Sequence, residues 1–208
     1  YMTSDNGVMK IDAYNGTIFT AGAPPGLDLR GTLDAANGIF NGNAQVGYRV
    51  VFGRKDLNDN LILGAPSDVL VLTNAKVLDV AYTSSGAGPY TVTVTNPGHN
   101  LVAGMSVVVS GSTDPDADGT RVVLGGADAP TATTFKFSTS ADPASGTLDY
   151  TVSRRPRLEF SVPRELTSVA EKWFYQVYRT TISSTDSVSP EVDFRKIDEQ
   201  YLTSGQLS

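Results

Sequence analysis

Asp114, Asp116 and Asp118, followed by Gly119, are the residues of this 208-residue chain whose types and spacing best match a metal loop. Carboxylates at alternate positions, with a glycine for the sharp turn, are how a loop wraps oxygen ligands around Ca²⁺. The helical version of such a loop needs a bidentate Glu at its twelfth position, and Gly125 stands there. A bound calcium ion would therefore be completed by a backbone carbonyl or by Asp128. The same residues also read as the solvated acidic tip of a hairpin. Asp56, Asn58 and Asn60 repeat the spacing more weakly, and there a tight turn is explanation enough.

His99 is the single histidine and lies in a turn, between Pro97-Gly98 and Asn100. A catalytic triad needs a nucleophile and an orienting acid around such a residue, and no nucleophile-elbow pattern occurs in the sequence. The expected role is a turn residue bonding the local backbone. A glycosidase pair would need two carboxylates about 5 to 10 Å apart in a cleft, and with twenty-two acids in the chain sequence singles out no pair. No catalytic residue is assigned, and the chain is not read as an enzyme.

Two further sets invite chemistry. Arg154, Arg155, Arg157 and Arg164 suit a phosphate or an acidic partner, or else an ion-pair patch between two domains. Trp173, Phe174, Tyr175 and Tyr178 could stack on sugar rings. In strand alternation, however, Trp173, Tyr175 and Val177 share one face and Phe174 and Tyr178 the other, which suits a core on one side and a subunit contact on the other.

The elements that must position these residues are strands. The run 45–74 places apolar, β-branched segments at 48–52, 61–63 and 69–72 around an Asn/Asp cluster at 56–60, which reads as a hairpin with a second arm broken at Gly64 and Pro66. Before it, an Asn15-Gly16 turn joins strands at 8–11 and 17–21, and Pro24-Pro25-Gly26 closes that unit. A weak strand is expected within 27–44. From Ala75 the texture changes to six short strands, at 77–82, 90–95, 106–109, 120–124, 134–137 and 148–152, separated by Gly, Pro, Asn or Asp. Tyr90-Thr-Val-Thr-Val-Thr95 alternates strictly, as a strand with one buried face does. Strands at 158–162, 173–180 and 192–197 follow. The best helical candidate, 166–172, spans one or two turns.

The expected fold class is therefore all-β. A sandwich of the fibronectin-III or immunoglobulin kind is interrupted by a small β-barrel. The expected boundaries are 1–26 for an N-terminal hairpin and linker, 27–75 and 154–208 for the two parts of the sandwich, and 76–153 for the insert.

Composition narrows the function. The net charge is −6, and residues 76–153 carry −4 of it, with Lys76, Arg121 and Lys136 against seven aspartates. Such a chain does not read as a nucleic-acid clamp, which needs a Lys/Arg-rich face. It has no cysteine, which excludes disulfides and thiolate metal sites. No stretch approaches the roughly 18 apolar residues of a membrane helix. The chain opens on Tyr1-Met2-Thr3 and stops at Leu207-Ser208 without a terminating signal, as expected of a piece of a longer polypeptide.

Two stretches look familiar. The run Gly47-Tyr-Arg-Val-Val-Phe-Gly-Arg-Lys-Asp56, with Asn60-Leu-Ile-Leu-Gly-Ala-Pro-Ser67, resembles the fibronectin-III-like segments of large tail proteins of short-tailed bacteriophages; 173–180, Ser189-Pro190 and 202–206 fit the same pattern. Val92-Thr-Val-Thr95, Gly98-His99-Asn-Leu101, Gly104-Met-Ser-Val107, Ser110-Gly111, Gly119-Thr120 and Ala132-Thr-Thr-Phe135 are similar to a small β-barrel module of phage structural proteins. That module usually reads His-Gly-Leu where this chain has His99-Asn100-Leu101. The resemblance implies a virion tail component, a nozzle or hub below the portal. It would form a homo-oligomeric ring among other tail proteins, through which viral DNA passes without specific binding. The alternative is a β-module that binds carbohydrate or a host-surface glycan.

Overall fold

The computed structural model describes residues 2–4, 7–11, 18–20, 22–34, 38–55, 58–164, 166 and 172–206, the first three segments by backbone alone. It is all-β: apart from short 3-10 turns, the regular structure among the described residues is strand.

The organising element is β5 (Ala44–Lys55), twelve residues long. Its even-numbered side chains Val46, Tyr48, Val50 and Phe52 are buried together, as period-2 alternation requires of one face of a strand. Along one side β5 pairs antiparallel with β15 (Phe174–Arg179), which pairs in turn with β17 (Arg195–Tyr201), while β16 (Ser183–Ser184) continues the pairing at Ala44 and Gln45. Along the other side it pairs with β6 (Leu61–Leu63) and β7 (Leu70–Asn74). The second arm of the expected hairpin is thus two strands laid in line on β5.

A second layer, β4 (Leu27–Asp34) with β14 (Arg155–Ser161), packs across this sheet. Leu29 and Leu33 of β4 and Leu158 of β14 meet Phe40, Val46, Tyr48, Leu72 and Val177 in one core. At the other end of the sandwich, Phe160 joins Phe52, Leu166, Trp173 and Leu202. The strand expected only weakly within 27–44 is eight residues long. β14 begins at Arg155, three residues before the expected start, and its pairing sets Arg155 opposite Asp34 and Arg157 opposite Thr32.

Between β7 and β14, six strands form one antiparallel sheet. They are β8 (Val77–Ser85), β9 (Tyr90–Thr95), β10 (Ser106–Ser110), β11 (Gly119–Val122), β12 (Thr134–Thr139) and β13 (Gly146–Val152), in the order β11-β10-β13-β8-β9-β12. The sheet curls until its edges meet, with the Leu124 amide donating to the Lys136 carbonyl at 2.8 Å. The result is a nearly closed barrel filled by Val92, Val94, Val107, Val109, Phe135, Phe137, Leu148 and Tyr150. Curling removes most of the unpaired edge that a flat six-stranded sheet would expose. All strands of this sheet lie within 77–152, and the sandwich is built from strands on both sides of it in sequence.

Three N-terminal strands, β1 (Met2–Ser4), β2 (Gly7–Ile11) and β3 (Ile18–Thr20), form a separate small sheet with Ile11 opposite Ile18. The Asn15-Gly16 turn, Asp56 and Leu57, and most of the helical candidate 166–172 lie outside the described residues.

Candidate functional site

Asp116 lies in a one-turn 3-10 segment, Pro115–Ala117, with Asp114 capping its start and Asp118 its end. Asp114 Oδ1 accepts the Asp116 amide at 3.0 Å and Oδ2 the Ala144 amide at 2.8 Å. These two backbone donors, Ala144 first, hold the Asp114 carboxyl below its usual range. Asp118 turns the other way, its Oδ1 accepting the Ser112 amide at 3.1 Å and the Ser112 hydroxyl at 2.6 Å. Arg121 donates to the backbone carbonyls of Asp116, Ala117 and Asp118, so a guanidinium occupies three main-chain oxygens beside the carboxylates. Among the described residues no three His, Cys, Asp or Glu side chains converge as a group able to hold a metal. The arrangement is a capped turn, tied by Asp114 to the loop before β13.

His99 is buried. Its Nδ1 accepts the Leu101 amide at 2.9 Å, which makes Nε2 the protonated nitrogen, donating to the Thr134 carbonyl at 3.1 Å. The ring also packs edge-on against Phe135, 5.4 Å between centroids. Asn100, in the glycine position of the resembling module, has φ +53°, a left-handed conformation that Asn tolerates best after Gly. The imidazole therefore closes the turn that leads into Leu101.

The joint between the two modules is built on Asn74, the last residue of β7 and itself buried. Its amide donates to the Phe40 carbonyl at 2.9 Å and to the Val152 carbonyl at 2.8 Å. Beside it Phe40 and Arg154 exchange two backbone bonds, and Arg154 Nη2 donates to the His99 carbonyl at 3.1 Å. Of the four arginines read as a patch, Arg154 alone is thus turned into the joint; Arg155, Arg157 and Arg164 are exposed. A groove of about 600 Å³ opens beside the joint, lined by Leu33, Asp34, His99, Asn100, Val102 and Thr131, among others.

The aromatic strand divides as its alternation demands. Trp173, Tyr175 and Val177 face the sandwich interior. Phe174, Gln176 and Tyr178 take the outer face, where Phe174 meets Tyr201 edge-on at 5.9 Å. Tyr178 donates to Gln176 at 2.8 Å, and Gln176 to Glu199 at 2.6 Å. Lys196, 2.8 Å from Glu199, and then Gln176 hold the Glu199 carboxyl below its usual range. Arg49, Val51, Pro66, Tyr178 and Phe194 surround a cavity of about 240 Å³, with the Arg49 guanidinium 4.9 Å from the Phe194 ring centroid.

Across this face lies the 183–194 segment, held chiefly by Gln45. The Gln45 amide donates to the carbonyls of Ser184, Ser187 and Val188 at 3.0, 2.8 and 3.3 Å. Gly47 lies beneath it, where a Cβ would stand 2.2 Å from the Pro190 carbonyl oxygen. The pinned segment presents Val188 at 90% and Val192 at 71% exposure, beside Asp186, Glu191 and Asp193. Gln45 carried no signal in the sequence, because a polar residue opening a strand is ordinary and its three acceptors lie about 140 residues away.

No family model, no curated protein and no solved structure matches this chain.

Proposed function

We propose that this chain is a structural part of a bacteriophage tail, of the nozzle or hub kind. In this reading it acts without catalysis, by assembling with identical copies into a ring around the DNA-ejection path. The sequence resemblance supplies the family. The observation that carries the reading is the joint at Asn74: a buried amide and a two-bond bridge fix the barrel on the sandwich. A building block needs its modules held in one orientation, because any looseness between them would be passed on to every interface of a closed ring. The acidic surface suits a conduit, since phosphate contacts require positive charge. Imaging the full-length protein in virions tests this. A symmetric tail ring containing the sandwich and barrel supports it, and a monomer lying away from any tail overturns it.

A second reading, a module binding a host-surface glycan, is favoured by the groove beside the joint. There Asp34, Asn100 and Thr131 stand near the exposed Val102, a mixture of hydroxyl-binding groups and apolar surface. A glycan array with wild type and Asn100→Ala distinguishes this reading, which requires binding that the substitution removes.

A further inference from the structure

We infer that neighbouring copies meet head to tail, the pinned segment 183–194 of one copy docking on the arginine-bearing face of β14 in the next. The inference rests on the ring reading above and names its interface.

Charge is the first argument. Segment 183–194 carries Asp186, Glu191 and Asp193 and no base, whereas 154–164 carries four arginines against Glu159 alone. Arg155, Arg157 and Arg164 stand exposed rather than turned into the joint between the modules. Among the described residues, the ion pair that involves them at this face, Arg157–Glu159 at 3.2 Å, joins two side chains that are each more than 60% exposed. Such a pair contributes little and exchanges readily for a better partner.

Geometry is the second. The acidic segment lies on the outer side of the β5 sheet, over Gln45, Gly47 and Arg49. Arg155 and Arg157 point outward from the other layer, since Leu158 and Phe160 of the same strand face the core. The two surfaces are therefore on opposite sides of one sandwich. Opposite charge on opposite sides gives a heterologous contact, which repeats from copy to copy and closes into a ring when the rotation between copies allows. A two-fold contact would instead set acid against acid.

Pre-organisation is the third. The Gln45 amide fixes three carbonyls of the segment before any partner arrives, which lowers the ordering cost of binding. Val188 and Val192, among the most exposed apolar side chains of the chain, would then cover the aliphatic stems of the arginines.

The test is sedimentation velocity and native mass spectrometry on the 208-residue protein, comparing wild type, Glu191→Lys, Arg157→Glu and the double variant, with circular dichroism checking each fold. Wild type is expected to form oligomers that weaken with salt. Each single reversal should weaken association on the order of tenfold. An equimolar mixture of the two single variants should form oligomers in which the two alternate, since each repels itself and every mixed contact is complementary. The double variant should recover oligomers on its own. Wild-type oligomers indifferent to both reversals would overturn this interface and leave the ring reading standing. A wild type that stays monomeric at every concentration would overturn both.

Discussion

The Asn74 amide donates to the Val152 carbonyl at 2.8 Å, joining two residues 78 positions apart at the point where the chain leaves the sandwich and the point where it comes back. Replacing Asn74 by Leu leaves the Val152 carbonyl without this buried donor, an expected loss of about 1–3 kcal/mol. Hydrogen exchange should quicken around Phe40 and Val152 while the barrel interior keeps its protection. An Asn74→Leu protein that melts with wild type and exchanges like it would refute this role.

Because the chain leaves and returns at one place, residues 76–153 are expected to be dispensable to the sandwich. Joining Ala75 to Arg154 through a short Gly-Ser linker should leave a β-rich protein with a cooperative thermal transition. Circular dichroism showing an unfolded chain would mean that the barrel is a required part of the sandwich fold.

Stability should fall at acid pH in a way traceable to Asp149. The Lys76 ammonium, 2.7 Å away, and then the Asp79 amide hold its carboxyl below the usual value. A carboxylate depressed in the folded state stabilises fully above the unfolded value, about 4. That contribution is lost as pH drops through the lower folded value. The difference in urea midpoint between wild type and Asp149→Asn should therefore be constant above about pH 5 and shrink toward pH 2. A difference that stays flat over the whole range would exclude the ion pair as its source.

Calcium is expected to have no specific effect on melting. Asp114 and Asp118 already accept backbone donors, and Arg121 occupies the neighbouring carbonyls. Millimolar Ca²⁺ should shift the midpoint of wild type no further than that of the triple Asp→Asn variant at 114, 116 and 118. A larger shift in wild type would establish a loop-bound ion by mass action on the native state.

The parts of the fold that could be read from sequence were those set by neighbours along the chain. The Thr–Val alternation of 90–95 puts Val92 and Val94 fully inside the barrel, and the apolar runs after Gln45 give β5, β6 and β7 within thirty residues of one another. β4 stood out poorly because Gly31 interrupts its leucine alternation and its partner β14 lies more than 120 residues on. The run Arg155-Pro-Arg157 looked like a junction, since nothing local shows that Asp34 and Thr32 stand opposite its arginines. The aspartate spacing was plain, but Ala144, which bonds the Asp114 carboxylate, and Arg121, which bonds the carbonyls beside it, enter from other strands and loops. For Asn74 and Gln45, the side chains that hold the molecule's two long-range closures, the local sequence is silent.

The closure at Asn74 also decides how this protein bears load. For a pull that separates β7 from β14, the line of tension runs through the Asn74 amide and the Phe40–Arg154 bridge. The barrel hangs from that crossing as a side loop, outside the line of tension. Force reaches its strands only after the shackle has opened.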